Sequence, residues 1–141
     1  MSSEFDLVVF DLDGTLVETR EDLAASVNYA LEVSGLDGHP VETICHFVGD
    51  GALKLIQRAV GQDADQRLCE DVLRIFIEHY TEHCTDQSRP YPGVREIIPR
   101  LSPLPLSVLT NKPSVPTGMI LDRLNLAVNF SQIIGGDSEH G

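Results

Sequence analysis

The chain has 141 residues, 42% hydrophobic and 23% charged, the balance of a soluble globular protein with one average domain, or one domain plus a small insertion, and not of a disordered or collagen-like chain. Ten Lys and Arg against 22 Asp and Glu leave a formal net charge of −12, which argues against a general binder of nucleic acid or anionic membrane, because polyanions need a basic footprint. No apolar run approaches the ~20 residues of a membrane helix, and the acidic start Met1-Ser-Ser-Glu-Phe-Asp6 lacks the basic region of a signal peptide, so the expected compartment is the cytoplasm.

Leu7-Val-Val-Phe10 is a short, continuous, β-rich block, suited to a strand buried on both faces as in a parallel sheet. It ends in Asp11-Leu-Asp-Gly-Thr15. Thr19, with Asp22 three residues on, is a helix-start signal, and Leu23, Val27 and Leu31 then recur at helical spacing until Gly35. A second helical stretch covers Thr43–Val48, breaks at Gly49-Asp-Gly51 and resumes over Ala52–Val60 before Gly61. From Asp65 to Cys84, one face is traced by Leu68, Val72, Ile75, Phe76 and His79 or Tyr80. Residues from about 17 to 88 therefore read as helix and turn throughout.

Arg89-Pro-Tyr-Pro-Gly93 is a rigid re-entry, followed by a short helix marked by Val94, Ile97, Ile98 and Leu101. Leu104–Thr110 reads as the second strand, with Pro105 at its first residue or outside it. Asn111-Lys-Pro113 is a turn at that strand's carboxyl end, Pro116 opens a helix running through Met119, Ile120 and Leu124, and Phe130–Ile134 is a third strand. Strands alternating with helices predict an α/β fold: a Rossmann-like parallel sheet core, incomplete at about three strands, with right-handed crossovers. The block at 17–88 is too long for an ordinary crossover. It is expected to be an inserted α-helical cap over the carboxyl ends of the strands, where open α/β sheets place their ligands, leaving 1–16 and 89–141 as the partial core.

Cys45, Cys69 and Cys84 are widely spaced, with no C-x-x-C pair, and read as reduced thiols. His79 and His83 lie four apart and could share a metal. A zinc protease motif of the H-E-x-x-H form would place Glu directly after the first His, where Tyr80 stands, so a structural role is the preferred reading.

Asp11 and Asp13, two apart at a strand end and followed by Gly14-Thr15, carry the most specific chemistry. Two acids plus backbone carbonyls suit Mg²⁺, a hard cation that takes few carboxylates and keeps several waters. A metal beside a carboxylate lets that carboxylate attack phosphorus, because the ion offsets the repulsion between two anions. The second acid can protonate a leaving oxygen and later deprotonate water.

Asp11-Leu-Asp-Gly-Thr15 resembles the first motif of the haloacid dehalogenase superfamily of phosphohydrolases. Thr110 resembles its Ser/Thr second motif, and Thr110-Asn-Lys-Pro113 is the form typical of the phosphoglycolate phosphatase branch. Leu16-Val-Glu-Thr-Arg-Glu-Asp-Leu23, Val48-Gly-Asp-Gly-Ala52, Tyr91-Pro-Gly-Val94 and Ile134-Gly-Gly-Asp-Ser138 are also similar to that branch. The resemblance implies a Mg²⁺-dependent phosphatase acting on a small phosphorylated metabolite, with 2-phosphoglycolate the implied substrate. It implies Asp11 as nucleophile, Asp13 as general acid/base and Thr110 as phosphate ligand, with Gly14, Thr15, Asn111 and Lys112 near the phosphate. It also implies Mg²⁺ held by the Asp11 carboxylate and the Asp13 carbonyl. Parallel pairing of the first two strands would bring Asp11 and Thr110 to one sheet edge, with the strands ~4.8 Å apart.

In the family a lysine and a further acidic motif follow the Gly-Gly-Asp segment, where this sequence has Ser138-Glu-His-Gly141. Glu139 is a weak substitute for the later acid. The chain's two lysines are Lys54 and Lys112; Lys112 either offsets phosphate charge in part or is an exposed turn residue. Lys54 and Arg58, four apart, read as a solvated face with the alternative of reaching an acidic substrate. A core of about 70 residues is small to stand alone, and in the family's sheet order the first strand would have a bare edge, open to aggregation, self-association or a partner chain. The expectation is an incomplete version of a longer protein, and the rival functional reading is a catalytically deficient remnant or interaction module.

Overall fold

The computed structural model describes residues 6–137. Chain order is β1 (Val8–Phe10), β2 (Val17–Glu18), α1 (Arg20–Val33), α2 (Val41–Phe47), α3 (Ala52–Val60), α4 (Gln66–His83), β3 (Arg89–Pro90), α5 (Val94–Ile97) continuing as a 3-10 turn over Ile98–Leu101, β4 (Leu106–Leu109), α6 (Ser114–Arg123), a 3-10 turn at Ala127–Asn129, and β5 (Gln132–Ile134). Two compact units result: one from residues up to Glu18 together with those from Arg89 onward, the other Thr19–Ser88.

In the first unit, β1, β4 and β5 form a parallel sheet in that order, with Val8 opposite Leu106 and Val108 opposite Ile133. Both strand-to-strand steps advance in the same direction, and the right-handed crossover rule then places both helical connections on one face. That face is packed. Phe10 meets Phe130 edge-to-face at 6.2 Å between ring centroids, and Leu106, Val108, Ile120 and Leu121 are buried. On the opposite face Val9 is 52% and Leu109 54% exposed. The expectation of a first strand buried on both faces is thus corrected: β1 is the edge of the sheet among the described residues, and its Val9 is half exposed although Ser107, opposite it on β4, is buried. Pro105 lies outside β4, where its carbonyl accepts a hydrogen bond from Val8 N–H at 3.1 Å.

The expectation of helix and turn throughout 17–88 is also corrected at its start. Val17 and Glu18 pair antiparallel with Pro90 and Arg89, and the Tyr91 hydroxyl donates to Glu18 at 2.9 Å. A ladder two residues long has no period for a sequence pattern to reveal. The helix after Pro113 begins at Ser114, and the strand after the 3-10 turn is Gln132–Ile134.

The second unit is four helices, α1 packing on α2, α3 and α4, and α2 on α3. Thr19 stands at the N-cap of α1 without a side-chain capping bond, whereas Asp65 caps α4 by accepting from Arg67 N–H. The buried stripe of α4 is Cys69, Val72, Phe76 and Tyr80; Leu68, Ile75 and His79 sit at its half-buried margin. Arg58 donates to the Phe47 carbonyl at 2.9 Å and to Asp50 at 2.6 Å, so it fastens the Gly49-Asp-Gly51 turn and is not simply a solvated charge. All three cysteines are free thiols. Among the described residues no helix is long and apolar enough to cross a membrane.

Asp22, buried in α1, closes this unit: its carboxylate accepts from Gln87 N–H, from Ser88 N–H at 2.6 Å and from the Ser88 hydroxyl at 2.7 Å. Losing it orphans donors in a buried place, and each charge-assisted bond contributes about 1.5–3 kcal/mol. Asp22→Ala is expected to destabilise the chain by about 3 kcal/mol in urea unfolding, and Asp22→Asn by less; a change below about 0.5 kcal/mol would contradict this role.

Candidate active site

The chain leaves β1 at Phe10 and turns at once. Leu12 O accepts from the N–H groups of Thr15, Leu16 and Val17, and Gly14, at φ 78°, returns its N–H to Val17 O. That left-handed conformation is the reason for a glycine after Asp13. Leu12 is fully buried and anchors the turn, so the acids on either side of it are held by a core residue. Asp11 is exposed, and one of its carboxylate oxygens accepts from Leu12 N–H at 2.7 Å. Gly14 and Thr15 are exposed in the same turn.

β4 ends one residue before Thr110, whose N–H continues the sheet by donating to Ile134 O at 3.1 Å. Since Phe10 pairs with Val108, Asp11 and Thr110 leave the sheet within two residues of a shared rung, at the carboxyl edge of adjacent strands. Thr110 is buried, and its Oγ1 accepts from Lys112 N–H at 3.2 Å. Asn111 is exposed in the turn.

Lys112 is buried, which overturns its reading as an exposed turn residue. Its Nζ lies 3.1 Å from Asp13 Oδ1, with the two side chains 5% and 22% exposed. An ammonium taken out of water needs a partner, and Asp13 is that partner. The structure therefore brings Asp13, Thr110 and Lys112 together directly.

A third segment closes on the same loop. Gly136 N–H donates to Lys112 O at 2.8 Å, and a side chain on Gly136 would run into the Asn111 carbonyl, so the approach of the two backbones requires glycine there. Asp137 Oδ1 accepts from Ser114 N–H at 2.8 Å and from its hydroxyl at 2.6 Å, holding the first residue of α6 from outside the helix. The hydroxyl bond first, and the N–H bond second, push the Asp137 carboxyl below the usual carboxylate range. Sequence reasoning marked the Gly-Gly-Asp segment without finding this clamp; 23 residues separate its ends. Ser138 and Glu139, the latter weighed as a substitute acid, lie outside the described residues.

Among the described residues no three acidic, histidine or cysteine side chains cluster to hold a metal. The oxygen donors of the Asp11-Asp13 turn nonetheless suit magnesium, which accepts one or two carboxylates and fills its remaining positions with water. The second oxygen of the Asp11 carboxylate has no protein partner among the described residues.

Residues 8–141 match the family described as haloacid dehalogenase-like hydrolase. A phosphoglycolate phosphatase from Neisseria meningitidis is 39% identical over 137 residues, covering 93% of this chain and 58% of the relative. One from Chromobacterium violaceum is 40% identical over 137 residues, covering 93% and 62%. A crystal structure of a predicted phosphoglycolate phosphatase from Haemophilus somnus superposes with TM-score 0.88 at 31% identity, covering 99% of this chain and 66% of that one. The chain thus spans about three-fifths of the length of these curated relatives. With the family match running through both carboxylates and the Thr110 turn, the chain belongs to the haloacid dehalogenase-like hydrolases.

Proposed function

We propose that this chain carries the site of a Mg²⁺-dependent phosphatase that hydrolyses a small phosphorylated metabolite, 2-phosphoglycolate being the favoured substrate, through an aspartyl-phosphate at Asp11. The observation that carries the reading is the ion pair between Lys112 and Asp13, which joins the Asp-x-Asp-Gly-Thr turn to the Thr110-Asn-Lys turn. The names of the relatives support the substrate class. The three free thiols agree with a reducing compartment, and cytoplasmic residence is part of the proposal.

In this mechanism the bound phosphate anion draws the Lys112 ammonium toward itself and Asp13 takes up a proton from solvent; an Asp11 carboxylate oxygen attacks phosphorus in line with the ester oxygen, the new O–P bond forms as the ester P–O bond breaks, and Asp13 gives that proton to the leaving alkoxide. Asp13 then takes a proton from water, whose oxygen attacks the acyl phosphate, releasing inorganic phosphate and restoring Asp11. The Oγ1 of Thr110 already accepts from Lys112 N–H, and its own proton has no acceptor among the described residues, so it is available to a phosphoryl oxygen. The Thr15 hydroxyl and the Asn111 side chain are the groups proposed to bind the phosphate with it, Gly14 shapes the turn that lets the phosphate approach since its N–H is taken by Val17 O, and Lys112 adds fixed positive charge at Asp13. Magnesium, held by the Asp11 carboxylate and the Asp13 carbonyl, would supply charge neutralisation between the two anions.

A second reading, that the chain is catalytically deficient and acts through another polypeptide, is favoured by one observation: β1 is a sheet edge with the half-exposed Leu7 and Val9 on it. The occupant proposed here is a strand of a second chain.

Phosphatase turnover by the purified chain with Mg²⁺ is expected to fall at least about 10³-fold in Asp11→Asn and to vanish with chelator; activity that survives Asp11→Asn would sink the mechanism, and none in the unaltered chain would leave the second reading standing. Lys112→Met strands the Asp13 carboxylate, and is expected to lower turnover at least tenfold and stability by about 2 kcal/mol, since Asp13 keeps some solvent; wild-type values for both would contradict the role given to the pair. For the second reading, sedimentation velocity should detect concentration-dependent association that Val9→Lys abolishes, and a monomer at all concentrations would rule out pairing between copies.

A further inference from the structure

The three residues that follow β5 are shaped to the turn that follows β4. A side chain on Gly135 would run into the backbone and hydroxyl of Ser114, and one on Gly136 into the Asn111 carbonyl. Two glycines in succession therefore let this segment lie directly against residues 111–114. Asp137, the next residue, grips the same place with its side chain: one carboxylate oxygen accepts from both the N–H and the hydroxyl of Ser114.

Helix α6 has no cap from its own N-cap residue. Pro113 stands at that position, and its ring carries no atom that can accept a hydrogen bond. Asp137 supplies the missing acceptor, and its charge meets the positive end of the helix dipole. The bonds from the Ser114 hydroxyl, and then from its N–H, keep the Asp137 carboxyl below the usual range, so it is ionised at neutral pH.

The turn is thus held on both sides of Pro113. Before it, Lys112 O accepts from Gly136 N–H at 2.8 Å; after it, Ser114 is held by Asp137. Pro113 O itself accepts from the hydroxyl of the fully buried Thr117 at 2.8 Å. Lys112 N–H then donates to Thr110 Oγ1, so the hold on Ser114 reaches the proposed phosphate ligand through one short stretch of backbone. Asp137 is exposed, and replacing it removes its part of this hold without opening the core.

We propose that Asp137 is a positioning residue for phosphoryl binding: through Ser114 it sets the turn at 110–112 and governs how tightly the phosphoryl group is held. The inference rests on the reading of that turn as the phosphate site. Thr110 and Lys112 would touch the phosphoryl group in ground and transition states alike, whereas Asp11 and Asp13 stand on a different turn, anchored by Leu12. Loosening the turn at 110–112 therefore removes uniform binding, which raises KM and leaves kcat nearly unchanged.

The test is calorimetric titration of the full chain with inorganic phosphate in the presence of magnesium chloride, alongside turnover of a chromogenic phosphate ester. Asp137→Ala is expected to weaken phosphate binding and to raise KM, each about tenfold, with kcat within about threefold of the unaltered chain. Asp137→Asn keeps an oxygen that can accept from Ser114, and is expected to bind phosphate within about threefold of the unaltered chain. Asp122→Asn removes an exposed acid near the far end of α6 and is expected to change neither quantity. Ser114→Ala, which deletes the hydroxyl bond alone, is expected to show the same shift at smaller size, and it decides the matter if Asp137→Ala does not fold. Phosphate held equally well by Asp137→Ala and the unaltered chain would overturn the proposal alone, as would a loss confined to kcat. An unaltered chain that binds no phosphate would overturn it together with the reading it rests on.

Discussion

The contact on which the rest of the first unit depends is the 3.1 Å ion pair between Lys112 and Asp13. A lysine this deeply buried carries a desolvation penalty of several kcal/mol, and it stays charged only where a carboxylate and hydrogen bonds compensate. That requirement locks the turn after β1 against the turn after β4. The Lys112 backbone extends the lock: its N–H binds the Thr110 hydroxyl oxygen and its carbonyl receives Gly136 N–H. One residue thereby ties together the carboxyl ends of all three parallel strands.

The second unit is held by a different logic. Its ends meet at one carboxylate, Asp22, which gathers the donors of Gln87 and Ser88. Its inner turn at Gly49-Asp-Gly51 is fastened by Arg58. Its margin carries the stacked Tyr29, His79 and His83, with each imidazole bonded through Nδ1, to Ser26 and to Asp86, in keeping with a structural role for the histidine pair.

Much of this was legible in the sequence because it is local. Val8–Phe10, the four helices between Arg20 and His83, and the strand–turn at Leu106–Lys112 follow from apolar runs, helical spacing and glycine or proline punctuation. The Asp11-Leu-Asp-Gly-Thr15 turn was legible too, since its acids, its glycine and its buried Leu12 are consecutive. What escaped depends on neighbours distant in sequence. The ladder of Val17–Glu18 with Arg89–Pro90 is too short to have a period; the exposure of Val9 depends on what covers one sheet face; and the burial of Lys112 depends on Asp13 arriving from 99 positions away. The exact phase of the α4 stripe, with Cys69 inside and Leu68 at the margin, is set by packing against α1 and α3.

The most direct measurement of the central claim is a double-mutant cycle on Asp13→Asn and Lys112→Met, read by urea unfolding. The account predicts a coupling of about 1–3 kcal/mol, as for residues that share one buried contact. Losses that add to within about 0.5 kcal/mol would mean that the two turns are held together by something else.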